Sequence, residues 1–134
     1  MIAPAGMDND RLGILIREAA TEIHEERSGF WKFEIDSAVV FVITDQTHNR
    51  MRIMTPVGEV NSISSEQCQI LLSANFDRAL DARYCLNDNV VWSAYLHPLR
   101  ELISSEFLGA LSQVVRLAKN FGSSYSSTDI VFGG

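Results

Sequence analysis

Cysteine is almost absent from this chain, with only Cys68 and Cys85 in 134 residues. Two cysteines cannot build a disulfide framework and are not spaced as a zinc pair, so both are expected as buried free thiols. Long apolar runs are missing as well. The stretch Ala38 to Ile43 is far short of the roughly 20 residues that span a bilayer, and no basic-then-apolar leader opens the chain. A cytoplasmic location is expected. Basic clusters are also lacking. The net charge is −6 and Arg and Lys are thinly spread, so the electrostatic footprint of a nucleic-acid binder is absent and anionic membranes are disfavoured. Catalytic signatures are missing too: there is no HExxH, no GxSxG and no Gly-rich phosphate loop. His24, His48 and His97 are not at ligand spacing, and the carboxylates lie on helix flanks and in turns. No catalytic residue, metal ligand or cofactor is assigned.

What is present is a folding pattern. Apolar residues make up 46% and charged residues 21%, the balance of one folded domain able to bury a core without staples. Residues 1–8 read as a loose tail, 9–122 as the domain and 123–134 as a C-terminal tail. From an N-cap at Asp8 or Asp10, Leu12, Leu15, Ile16, Ala19 and Ile23 recur at helical spacing and predict an amphipathic helix ending near Ser28-Gly29. Ile14 falls opposite that face. Trp31, Phe33 and Ile35 alternate with Lys32, Glu34 and Asp36 as in a half-buried strand, Asp36-Ser37 reverses the chain, and Ala38 to Ile43 reads as a central or doubly covered strand. Arg50 to Val57 alternates again, with Pro56 favouring an edge at its far end.

The second half begins with a capping-box signature, Ser64 and Gln67, before a short helix whose inward stripe reads as Cys68, Leu71, Leu72 and Phe76, with Ile70 off it. Arg83 to Leu86 and Val90 to Leu96 are joined through Asn87-Asp88-Asn89, which suits a tight hairpin. A last helix starts around Ser104-Ser105-Glu106 and stops at Gly122. Its apolar positions, among them Phe107, Leu111 and Val114, cover close to half the wheel and make it the main core element. The apolar triplet Ile130-Val131-Phe132 could dock back on the sheet.

The order α-β-β-β-α-β-β-α, with an antiparallel sheet packed against helices, makes this an α+β chain. It is similar to the type III secretion chaperone-like fold, and within it the chain resembles the YbjN-like group of sensory transduction regulators, in uncharacterised bacterial (cyanobacterial-type) members. The resemblance is carried by Phe30 to Ile35, Asn49 to Pro56, Leu71 to Phe76, and Val91-Trp92 leading to His97-Pro98-Leu99, and covers about residues 10 to 122. It implies homodimers that bind extended segments of client proteins on apolar surfaces without performing chemistry. The expected function is therefore a non-enzymatic protein- or peptide-binding module acting as a homodimer, with Met51, Ile53, Met54, Ile70 and Ile14 as the contact set. Methionine adapts to varied partners and an exposed strand can accept another. The same pattern also allows Met51 and Ile53 to be core, with only Met54 exposed. An alternative is a small-molecule sensor with its pocket near Trp31, Trp92 and Tyr95.

Overall fold

In the computed structural model, which describes residues 6–77 and 80–121 apart from the Asp77 side chain, Asp8 caps the first helix, α1 (Asn9–Ala19), by accepting the Arg11 N–H at 2.9 Å. That helix is shorter than its periodicity implied. Thr21 donates its N–H to Glu34, and Glu22–Arg27 continues as an extended strand, β1. Ile23 therefore sits on a strand, where it pairs with Phe33. The segment was hard to read because its other positions are charged and exposed, so it lacks the alternation of a half-buried strand. An ion pair between Arg17 of α1 and Glu26 ties the two elements together.

Five more strands follow: β2 (Phe30–Ile35), β3 (Ala38–Asp45), β4 (Arg50–Glu59), β5 (Arg83–Asn87) and β6 (Val90–Pro98). They form one antiparallel sheet in the order β1-β2-β3-β4-β6-β5. The tight turns have identifiable causes. Asp36 and Ser37 take φ of 49° and 73°, and Asp88 and Asn89 take 51° and 65°, the left-handed pairs that two-residue hairpins require. Gly29 holds φ at 83° in the β1–β2 turn, and a Cβ there would stand 3.1 Å from the Thr44 hydroxyl, so glycine is the fitting residue.

Pro56 does not put β4 at the rim of the sheet, since β4 lies between β3 and β6. The β3–β4 ladder runs from Asp45–Arg50 to Phe41–Met54, and a bulge interrupts the β6 pairing between Pro56 and Gly58. Pro56 thus lies past the paired stretch and beside an irregularity, where its missing N–H costs little.

After a 3-10 turn (Val60–Ser62), α2 (Ser65–Asp77) begins with the expected box. The Ser64 N–H reaches Gln67 Oε1 at 2.8 Å and the Gln67 N–H reaches Ser64 Oγ at 3.1 Å. The last helix, α3 (Ser104–Asn120), lies over β3, β4, β5 and β6. The Gly122 cap and the Ile130-Val131-Phe132 segment lie outside the described residues.

All three helices pack on one face of the sheet. Leu12 and Ile16 of α1 and Phe107, Leu111 and Val114 of α3 share a buried cluster with Phe33, Val40 and Ile53. At roughly 1.5–3 kcal/mol for each large side chain removed from water, this cluster dominates the fold's stability. A smaller cluster joins Leu71 and Ala74 of α2 to Tyr84 and Val91. Polar glue fixes α3 in place: Ser93 Oγ donates to the Val114 carbonyl and Tyr84 OH to the Leu117 carbonyl, each at 2.8 Å. Met7, expected in the loose tail, is 4% exposed and its N–H bonds to the Arg100 carbonyl, so the packed domain includes it.

Candidate binding surface

Because the helices share one side, the alternate residues of every strand project from a face that no helix among the described residues covers. Phe30 on β2, Phe41 and Ile43 on β3, Met54 on β4, and Trp92 and Leu96 on β6 belong to neither buried cluster. Cross-strand register sets them in rows. One row runs Lys32, Phe41, Met54, Ala94, Arg83, and the next runs Phe30, Ile43, Arg52, Leu96. A third, shorter row holds Pro56, Trp92 and Cys85.

The aromatics on this face contact one another. Phe41 meets Phe30 and Trp92 edge-on, with centroids 6.1 Å apart in each pair, the arrangement that ring quadrupoles favour. Cations lie on the rings: the Arg27 guanidinium is 4.4 Å from the Phe30 centroid and the Lys32 ammonium 5.7 Å from that of Phe41. Cys85 is exposed and Cys68 half-buried, so neither is the buried thiol expected. Local desolvation pushes the Cys85 thiol up, while Arg52 and Arg83 pull it partly back.

The expected contact residues separate. Met51 is 2% exposed and Ile53 0%, and both are core, so neither meets a partner in this fold. Met54 is half-buried on the uncovered face, and Ile14 is 51% exposed on the far side of α1. Ile70 is half-buried and packs against the small cluster. The stripe expected to face inward turns the other way in part: Leu71 and Ala74 are buried, but Leu72 is 68% and Phe76 89% exposed. Leu80 and Leu86 are exposed as well. Leu71 and Ala74, at i, i+3 spacing, share the line that packs against Tyr84 and Val91.

The aromatic trio of the sensor alternative does not converge. Trp31 and Tyr95 are buried in the helix-covered cluster, whereas Trp92 stands on the opposite face. An open cleft of about 540 Å³ lies between Ala19, the β2–β3 turn and α3, rimmed by Asp36, Arg116 and Lys119, away from those rings.

The histidines are each accounted for by local partners. His48 Nδ1 lies 2.8 Å from Asp45 Oδ2, and this bond holds the Asp45 carboxyl below its usual range. His97 stacks on Tyr95 and its Nε2 lies 3.5 Å from Glu106 Oε2. At the β1 bulge, His24 Nε2 approaches Glu34 Oε2 at 2.7 Å and Nδ1 lies 3.8 Å from Glu22 Oε2. Among the described residues these three form a group whose donors, all within 4.8 Å of one another, could hold a metal ion. Two of the three are exposed and ion pairing accounts for their closeness. No helix among the described residues is long and apolar enough to cross a membrane.

A six-stranded antiparallel sheet with three helices on one side defines the type III secretion chaperone-like fold. No protein-family model matches the chain and no curated protein matches it in sequence; the likeness is to solved structures. In the ExsC–ExsE complex a chain superposes with a TM-score of 0.66 at 14% identity, covering 87% of this chain and 96% of that one. The Yersinia pestis type III secretion chaperone SycH, in complex with a stable fragment of YscM2, gives 0.63 at 18%, covering 85% and 98%. The HopA1–SchA chaperone–effector complex gives 0.62 at 11%, covering 82% and 88%.

Proposed function

We propose that this chain is a non-enzymatic, chaperone-like module that holds an extended segment of another protein while paired with a second copy of itself. The observation that carries the reading is the uncovered sheet face, where Phe30, Phe41, Ile43, Met54 and Trp92 form an apolar strip, with Leu96 across Arg52 from Ile43. An apolar patch of this kind marks an interaction site. The chaperone–effector and chaperone–fragment complexes of the same fold support a protein client. The second copy is assigned to α2, whose Leu72 and Phe76 present a row of exposed apolar side chains beside Leu86 of the edge strand β5; Ile14 and Met54 remain as further contacts. A regulatory use of this binding belongs to the same proposal, and two unpaired thiols fit a reducing cytoplasm.

Light scattering with peptide binding tests both parts. The intact chain is expected to run as a dimer, and Phe76→Asp with Leu72→Asp as a monomer with unchanged circular dichroism. Short peptides with alternating Phe and Leu are expected to change Trp92 fluorescence. A monomeric intact chain removes the homodimer, and failure of every such peptide to bind removes the client-holding role.

A further inference from the structure

The chain is acidic overall, with 11 basic residues against 17 acidic ones. Yet Arg27, Lys32, Arg50, Arg52 and Arg83 all project from the uncovered face, by the strand register that also places Phe41, Ile43, Met54 and Leu96 there. Arg52 stands between Ile43 and Leu96, and Lys32 and Arg83 end the row through Phe41, Met54 and Ala94. The acids of the same face lie at its margin: Glu22 and Glu25 on the edge strand β1, Glu34 beside them on β2, Asp45 at the β3–β4 turn and Glu59 at the far end of β4. All but Glu59 have partners already, Glu25 with Arg27, Glu34 and Glu22 with His24, and Asp45 with His48. Among the described residues no ion pair engages Arg50, Arg52 or Arg83, and the field of Arg52 and Arg83 reaches the Cys85 thiol in the next row. The β3–β4–β6–β5 half of the face is thus apolar at its centre, with Arg50, Arg52 and Arg83 around it and only Asp45 and Glu59 at its two ends.

We infer that this half-face takes an acidic segment of a partner protein, one that carries aromatic or aliphatic anchors between Asp and Glu residues. The inference rests on the client-holding role and specifies the client's chemistry. Anchors seat against Phe41, Met54 and Trp92, and the intervening carboxylates meet Arg52, Arg83 and Arg50, where a guanidinium gives a two-pronged bond to a carboxylate. Complementary charge of this kind sets partner choice and association rate more than total affinity. A nucleic acid would also meet cations and rings, but the chain's net charge of −6 and the acidic β1 margin oppose a phosphate backbone.

The experiment compares three labelled peptides with alternating Phe and Leu whose remaining positions are all Glu, all Ser or all Lys, with single-stranded DNA of similar length as a fourth probe. Binding is read by anisotropy and by Trp92 fluorescence. The Glu peptide is expected to bind tightest and the Lys peptide weakest. Arg52→Glu with Arg83→Glu, both exposed and outside the core, should weaken the Glu peptide about tenfold or more and reverse the ranking, and added salt should erase the difference. If the three peptides bind equally, or the double variant leaves the ranking intact, the acidic specificity is wrong although the client-holding role survives. Tighter binding of DNA than of the Glu peptide overturns it as well, and no binding by any peptide removes the parent reading itself.

Discussion

Replacing Ile53 by alanine is the sharpest test of how β4 divides its side chains between the two faces. Ile53 is 0% exposed, pairs with Val42 and Tyr95, and shares the main cluster with Phe107, Leu111 and Val114. The change removes three carbons, which at roughly 0.8 kcal/mol each amounts to about 2.4 kcal/mol of lost burial. The surrounding strands and α3 cannot collapse fully into the gap, so the total rises to about 3–4 kcal/mol. For a domain of this size that lowers the melting temperature by about 10 °C. Its neighbour Met54 is half-buried on the other face, and Met54→Ala is expected to cost under about 1 kcal/mol. Urea unfolding of both variants, followed by circular dichroism and by the emission of buried Trp31, gives the two values. A loss below about 1 kcal/mol for Ile53→Ala, or a larger loss for Met54→Ala, would refute the assignment of core and surface on this strand.

Other outcomes follow from the same geometry. Ser93→Ala removes the buried hydroxyl bonded to the Val114 carbonyl and is expected to cost about 1 kcal/mol in the same unfolding assay. Tyr84→Phe removes the bond to the Leu117 carbonyl at a similar cost, with α3 protected less against hydrogen exchange near its C-terminus. Leu71→Asp should abolish cooperative unfolding whereas Leu72→Asp should not, since the first is 5% exposed and the second 68%. Burial, with Glu106 adding to it, pushes the Tyr95 phenol up to about 12 from 10. The unfolded chain then loses that proton first, so the contribution of neutral Tyr95 is whole below pH 10 and fades as pH rises towards 12. Phenolate absorbance is expected to show Tyr95 ionising late, and Tyr95→Phe to remove that late step.

Much of the fold was legible because local chemistry and tertiary structure agree. Ser64 and Gln67 form the box their spacing implied, and Asp36-Ser37 and Asp88-Asn89 make the turns. The central position of Ala38 to Ile43 follows from its unbroken apolar run. What escaped has one cause: sequence periodicity reports how an element is covered, not what covers it. An edge strand such as β1 is held by backbone bonds to β2, which leave no side-chain pattern. On α2 two apolar lines compete, and only the position of Tyr84 and Val91 decides that Leu71 and Ala74 face them. For Met51, Ile53 and Met54 the pattern allows either a shared contact set or a core pair with Met54 exposed, and alternation sends the first two to the helix-covered side and the third to the bare face. That face was implicit in the order of elements, because the three helices among the described residues all lie on the other side.

The two borders of the sheet have opposite characters. β1 carries Glu22, His24, Glu25, Glu26 and Arg27 and a bulge that breaks its register, features that discourage any foreign strand from zipping on. β5 is five residues long and lies near the greasy side chains of α2. Lateral growth is therefore blocked at one rim and limited to a short run at the other, which opposes propagation into fibrils.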